Sequence, residues 1–151
     1  IILRFRKWKF GVGELAAMFH DVLIVLSFYS IIYGFMPFSL EIDQAFIAAI
    51  LTVVGYSIND TVIVFDRIRE FIGLHKKKDQ EIVINDALNS TLSRTLITSM
   101  TTLLVLLMIF FFGGEVIRGF VFALIIGVIV GTYSSLCVAT PLVVDLAKKS
   151  K

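Results

Sequence analysis

Four long apolar stretches decide what this chain can become. They run over about 15–35, 45–65, 96–112 and 119–144. Covering a hydrocarbon core of ~30 Å takes ~20 residues of helix at 1.5 Å each. None of the four alternates polar and apolar residues as barrel strands would. The sequence therefore predicts an all-α membrane protein with a four-transmembrane-helix bundle. Composition agrees, with 58% hydrophobic and 17% charged residues among 151. The net charge of +2 gives no reason to expect nucleic acid as a partner. Membrane lipids are the expected surroundings.

The basic residues orient the spans. Arg4, Arg6, Lys7 and Lys9 precede the first span. Arg67, Arg69, Lys76, Lys77 and Lys78 follow the second, and Lys148, Lys149 and Lys151 follow the fourth. The other two connections, MPFSLEID and GGEVIRG, carry Glu41, Asp43 and Glu115 against Arg118 alone. Four spans put all three basic clusters on one side, which the positive-inside rule makes cytoplasmic, together with the C-terminus and the 67–94 loop. The opening IILRFRKWKF reads as the tail of an earlier span entering a loop. With the first methionine at Met18, residues 1–151 are expected to be a transmembrane fragment of a longer protein.

The loop after span two is patterned. Within EIVINDALNSTLSRTL, Ile84, Ala87, Leu88, Thr91 and Leu92 fall at helical spacing on one face. Two readings stand side by side. One is a short amphipathic cytoplasmic helix at the interface, turning into span three near Arg94. The other is a plain cytoplasmic extension of span three. In span four, Gly119, Ala123, Gly127, Gly131, Ser135 and Ala139 recur every fourth residue. Small residues in such a row admit a close helix partner. Gly127, Gly131 and Ser135 are therefore assigned to helix packing, and Pro141 is expected to kink the helix end.

Asp60 is the costly residue. It lies in the apolar run VVGYSINDTVIVF, six residues before the charged cluster at Asp66. An ionised carboxylate there costs several kcal/mol unless paired or hydrated. Tyr56 and Asn59 supply polar company, and in span three Arg94, Thr98, Thr101 and Thr102 form a matching stripe. Arginine stays charged at any physiological pH. Asp60 and Arg94 are thus the candidate proton relay, with Tyr56, Asn59, Thr98 and Thr101 in support. The competing reading has Arg94 snorkelling to the surface and Asp60 serving only helix packing. His20 and Asp21 are placed at the start of span one, where an interfacial role is expected.

Asp66, Arg67, Arg69 and Glu70 read as a salt-bridged helix end. The lone Cys137 excludes an internal disulfide. No phosphate loop or paired nucleophile and base is present, so neither an enzyme, a metal site nor a cofactor is expected.

The motif GYSINDTVIVFDRIRE, Gly55–Glu70, resembles the fourth-span signature of the SecF branch of the SecD/SecF protein-export family. HDV at His20–Val22, SRTLITSMTT at Ser93–Thr102, FGG at Phe112–Gly114 and GTYSS at Gly131–Ser135 extend the resemblance in order along the chain. The SecD counterpart of the first motif reads D-A-N-V-x-I-x-E-R-I-R-E, so NDT and FDRIRE favour SecF, or the SecF half of a fused SecDF.

The resemblance implies an RND-superfamily fold. The four spans would be the third to sixth of a six-helix unit whose periplasmic domain lies between the first two. It implies a subunit of the Sec machinery in the bacterial inner membrane. Its implied partners are SecD, the SecYEG translocon with its accessory subunits, and a preprotein engaged through the periplasmic domain. It implies use of the proton-motive force, with the NDT acid at Asp60 and the SRT arginine at Arg94 essential. Alternatives are an RND-type exporter of small molecules or lipids, and a passive membrane scaffold.

Overall fold

A computed structural model describes residues 8–35, 42–75 and 78–148. The basic residues at 4, 6, 7, 76, 77, 149 and 151 lie outside them, as does Glu41. Helix α1 spans Trp8–Ile32, α2 Gln44–Leu74, α3 Gln80–Phe112 and α4 Glu115–Ser134. A π-helical turn, Ser135–Ala139, joins α4 to α5, Thr140–Lys148. Among the described residues, four helical stretches are long and apolar enough to cross a membrane, the last being Glu115–Leu146.

Helices α2 and α3 outrun the apolar stretches that predict them, whereas α1 both starts and ends earlier than its stretch, and α4 with the π turn and α5 covers the fourth. The 31 residues of α2 reach about 46 Å, well past the ~30 Å hydrocarbon thickness. Its start is fixed by Asp43, whose carboxylate accepts from the Phe46 amide at 2.8 Å. The α3 boundary settles the two readings of the loop. Gln80–Phe112 is one continuous helix of 33 residues with no break at Arg94, so the separate short amphipathic helix is replaced by an extension of span three. The reason is local: no glycine or proline occurs between Gln80 and Phe112 to interrupt it. The extension is still amphipathic, burying Val83, Ile84, Ala87 and Thr91 against the bundle.

Helix α3 ends at a Gly113–Gly114 joint. A Cβ at Gly113 would overlap the Ile109 carbonyl and approach Ile117 Cδ1 to 2.9 Å, so only glycine permits that turn.

Helices α2 and α4 form the centre, running parallel, with α1 and α3 packed against both. Span four is 56% buried over its most apolar window and α3 only 11%, so α3 presents its apolar side chains outward. The small row of α4 lies against α2 in matched steps. Gly127 faces Val53, Gly131 faces Ser57 and Ser135 faces Asp60. A Cβ on Gly127 would overlap the Val53 side chain, so the contact requires glycine.

The end of α4 is widened rather than simply bent. Pro141 has no N–H, and its ring would crowd the carbonyl four residues earlier. The π turn just upstream loosens that stretch, and the Thr140 hydroxyl donates to the Ser135 carbonyl at 3.0 Å.

The core is layered. At one end Val25, Tyr29, Phe46, Ala49, Ala123 and Ile126 pack together. At the other, Phe10, Ala17, Val64, Phe65, Ile84 and Val143 belong to a second apolar cluster. Polar side chains fill the layer between them.

Candidate functional site: acids in the middle layer

Among the described residues, the middle layer contains two carboxylates that accept from serine hydroxyls. Asp21 of α1 is 0% exposed. It accepts from the Ser57 hydroxyl of α2 at 2.6 Å and the Ser134 hydroxyl of α4 at 2.8 Å. His20 Nδ1 lies 3.2 Å from its other oxygen. Asp60 of α2 is 7% exposed and accepts from the Ser135 hydroxyl at 2.9 Å. Consecutive serines at the entrance to the π turn thus reach two carboxylates on two different helices. Ser134 also donates to the Gly131 carbonyl at 3.1 Å and Ser135 to the same oxygen at 2.6 Å. Ser135, assigned to packing from its place in the small row, is therefore also a hydrogen-bond partner of Asp60.

The interfacial position expected for Asp21 is overturned. Helix α1 begins at Trp8, so Asp21 lies thirteen residues, about 20 Å, inside it. The signal was present in the sequence: Glu14, Ala17 and Asp21 are spaced by three and four on one helix face, and all are buried.

Asp60 and Arg94 line one partly open cavity of about 140 Å³, together with Tyr56, Asn59, Thr95 and Thr98. Among the described residues no ion pair within 4.0 Å joins them; one oxygen of the Asp60 carboxylate accepts from Ser135 instead. Arg94 also borders a larger open groove of about 920 Å³ with Asp66, Arg67, Arg69, Glu70 and Ser90. It therefore stands where the open groove meets the chamber of Asp60. In that groove Arg67 binds Glu70 at 2.7 Å and Ser90 at 3.0 Å, and stacks on Phe71 with 4.7 Å to the ring centre. This ties the end of α2 to the start of α3.

The supporting residues divide. Tyr56 is 3.0 Å from the Ser99 hydroxyl, which is 2.6 Å from that of Thr132, and Thr132 donates to the Val128 carbonyl at 2.8 Å. That chain crosses α2, α3 and α4. Asn59 is exposed toward the Asp60 cavity. Thr98 lines it, but its hydroxyl donates to the Arg94 carbonyl of its own helix at 2.8 Å. Thr101 likewise donates to the Ile97 and Thr98 carbonyls, outside the cavity. The buried polar edge of α3 is Thr91, Thr95 and Ser99, one position on from the stripe read in the sequence.

Membrane-length helices enclosing carboxylates between two apolar layers define a polytopic membrane protein with an ionisable interior. The chain belongs to the family described as protein export membrane protein SecD/SecF, C-terminal, whose model matches residues 1–149. A protein translocase subunit SecF of Rhodothermus marinus is 58% identical over 150 residues, 99% of this chain and 48% of the relative. One of Thermodesulfovibrio yellowstonii is 47% identical over 152 residues, with the same shares. The chain thus spans about half the length of the curated relatives it matches. A crystal structure of SecDF in a super-membrane-facing form superposes with a TM-score of 0.90 at 45% identity, covering 99% of this chain and 20% of that one.

Proposed function

We propose that these four spans are the proton-coupled transmembrane part of a SecF-type protein-export subunit in the bacterial inner membrane. The reading takes residues 1–151 as part of a longer protein, with the basic ends and the 67–94 segment cytoplasmic. Its partners are SecD and the SecYEG translocon, and its cargo is a preprotein.

One observation carries the mechanism. Asp60 is buried in the middle of a membrane-length helix and bound to a hydroxyl, and it shares a chamber with Arg94 without a closed ion pair. Folding alone offers no reason for that carboxylate, because an apolar side chain would fill the position at lower cost. Ionised, Asp60 attracts Arg94 across the chamber. Protonated, it loses that attraction and keeps only neutral hydrogen bonds. The two protonation states thus favour different packings of α3 against α2 and α4, which is a two-state element biased by a proton. One charge crossing 100 mV supplies ~2.3 kcal/mol, enough to bias such an equilibrium about fiftyfold. In the intact protein that shift is transmitted to the parts that handle the preprotein.

The test is export of a secretory precursor by the intact protein carrying Asp60→Asn. Export driven by the proton-motive force should be lost while ATP-driven steps persist. Unchanged proton-dependent export would remove Asp60 from the mechanism.

A further inference from the structure

Glu14 is not used by any contact described so far. It lies on α1 between Phe10 and Ala17, members of the second apolar cluster, and is 5% exposed. Among the described residues neither of its carboxylate oxygens has a hydrogen-bond partner. Beside it is the Thr61 hydroxyl of α2, 0% exposed, close enough to act on the Glu14 carboxyl but closing no hydrogen bond with it. Buried polar atoms without partners are rare and costly in folded proteins. Two of them adjacent in an apolar cluster need a reason other than packing. Thr61 directly follows Asp60 on α2.

Among the described residues, the charged side chains that act on Glu14 are acids. From its own helix Asp21 acts on it, and from α2 Asp60 does. The π turn and α5 bring Ala139 and Val143 to this part of α1, closing it with apolar groups. Asp21, level with Ser57, is deepest; Asp60 is one turn further along α2; Glu14 is beside Thr61 and nearest the end where α1 begins. The three carboxyls are thus graded in depth along the bundle.

We propose that Glu14 is a second proton-binding group of this bundle, exchanging protons with Asp60 by way of the Thr61 hydroxyl and carrying them toward the end of the membrane at which α1 starts. The inference rests on the proton-coupled reading of Asp60. Glu14 first releases its proton at its far side, and a proton leaving Asp60 is then taken up at the ionised Glu14 carboxylate. Only O–H bonds form and break, and the charge lost at one carboxyl appears at the other. A neutral carboxyl is the form that an apolar cluster tolerates, so Glu14 rests protonated and ionises only in passing.

The test uses the full-length protein with its partner subunit in lipid vesicles. Infrared difference spectra between acidic and alkaline buffer should contain a neutral-carboxyl band that disappears in Glu14→Gln and survives in Asp60→Asn. Proton-driven export by Glu14→Gln should fall by about a hundredfold, the low end of what positioned proton-transfer groups supply, and lose one limb of its pH profile. Thr61→Val, nearly isosteric, should slow export while retaining the Glu14 band. A spectrum unchanged in Glu14→Gln overturns the proposal. So does export by Glu14→Gln with the normal rate and pH profile. If Asp60→Asn alone leaves export intact, the proton-driven reading fails, while the spectrum still decides whether Glu14 holds a proton.

Discussion

Replacing Asp21 with alanine tests whether the middle layer is held by the bonds that cross it. Its carboxylate accepts from Ser57 at 2.6 Å and from Ser134 at 2.8 Å, and all three residues are fully buried. Asp21→Ala deprives both hydroxyls at once. They are not equally harmed, because Ser134 can still donate to the Gly131 carbonyl, whereas Ser57 makes its hydrogen bond to Asp21. A buried hydroxyl left without a partner costs about 1–3 kcal/mol. With the small cavity added, Asp21→Ala should destabilise the bundle by about 2–4 kcal/mol. Ser57→Ala alone should cost about 1–2 kcal/mol. The double variant should be no less stable than Asp21→Ala, since the stranded hydroxyl is then gone. The coupling should therefore be about 1–2 kcal/mol, well beyond the ~0.5 kcal/mol scatter of independent sites. Reversible denaturant unfolding in detergent micelles, read by helix signal, measures all four corners of the cycle. Simple additivity would refute the claim that Asp21 and Ser57 depend on one another.

Gly127→Ala should destabilise the α2–α4 contact by about 1–3 kcal/mol, because its Cβ would lie 2.8 Å from Val53 Cγ1 where ordinary contact is 3.4–4 Å. Adding Val53→Ala should recover much of that loss in the same unfolding assay, and failure to do so would contradict the close approach. Tyr29→Phe removes the hydrogen bond from the Tyr29 hydroxyl to the Gly119 carbonyl, which ties α1 to the start of α4. It should cost about 1 kcal/mol in midpoint stability without affecting the Asp60 layer. Ser99→Ala breaks the Tyr56–Ser99–Thr132 chain. It should cost more than Thr98→Ala, whose hydroxyl bonds only its own helix, and unfolding midpoints for the pair decide this.

The four spans were legible because length and apolar content alone demand them. Asp60 was legible because an acid inside such a run has no packing excuse. Glu14 stood outside the expected span and drew no reading, and Asp21 was placed at the interface, because the basic residues before span one made Leu15 look like its start. The helix begins at Trp8, and the membrane-facing pattern is set by the faces of α1 rather than by the distance from Lys9. The polar face of α3 was displaced for a different reason. Threonines in helices often bond their own backbone, as Thr98, Thr101 and Thr102 do, so a row of them does not mark an interface. Ser99, hidden among them, is the residue that crosses to the neighbours. The pairing of Ser134 with Asp21 and of Ser135 with Asp60 depends on three helices meeting at one level, and no spacing within a single segment encodes that.

The central claim is that Asp60 takes up and releases a proton as the protein works. Proton entry into vesicles containing the intact protein and its partner subunit, measured with an internal pH dye under an imposed gradient, tests it directly. Substrate-dependent proton entry should be present in the native protein and absent in Asp60→Asn. Equal proton entry in the two would contradict the account.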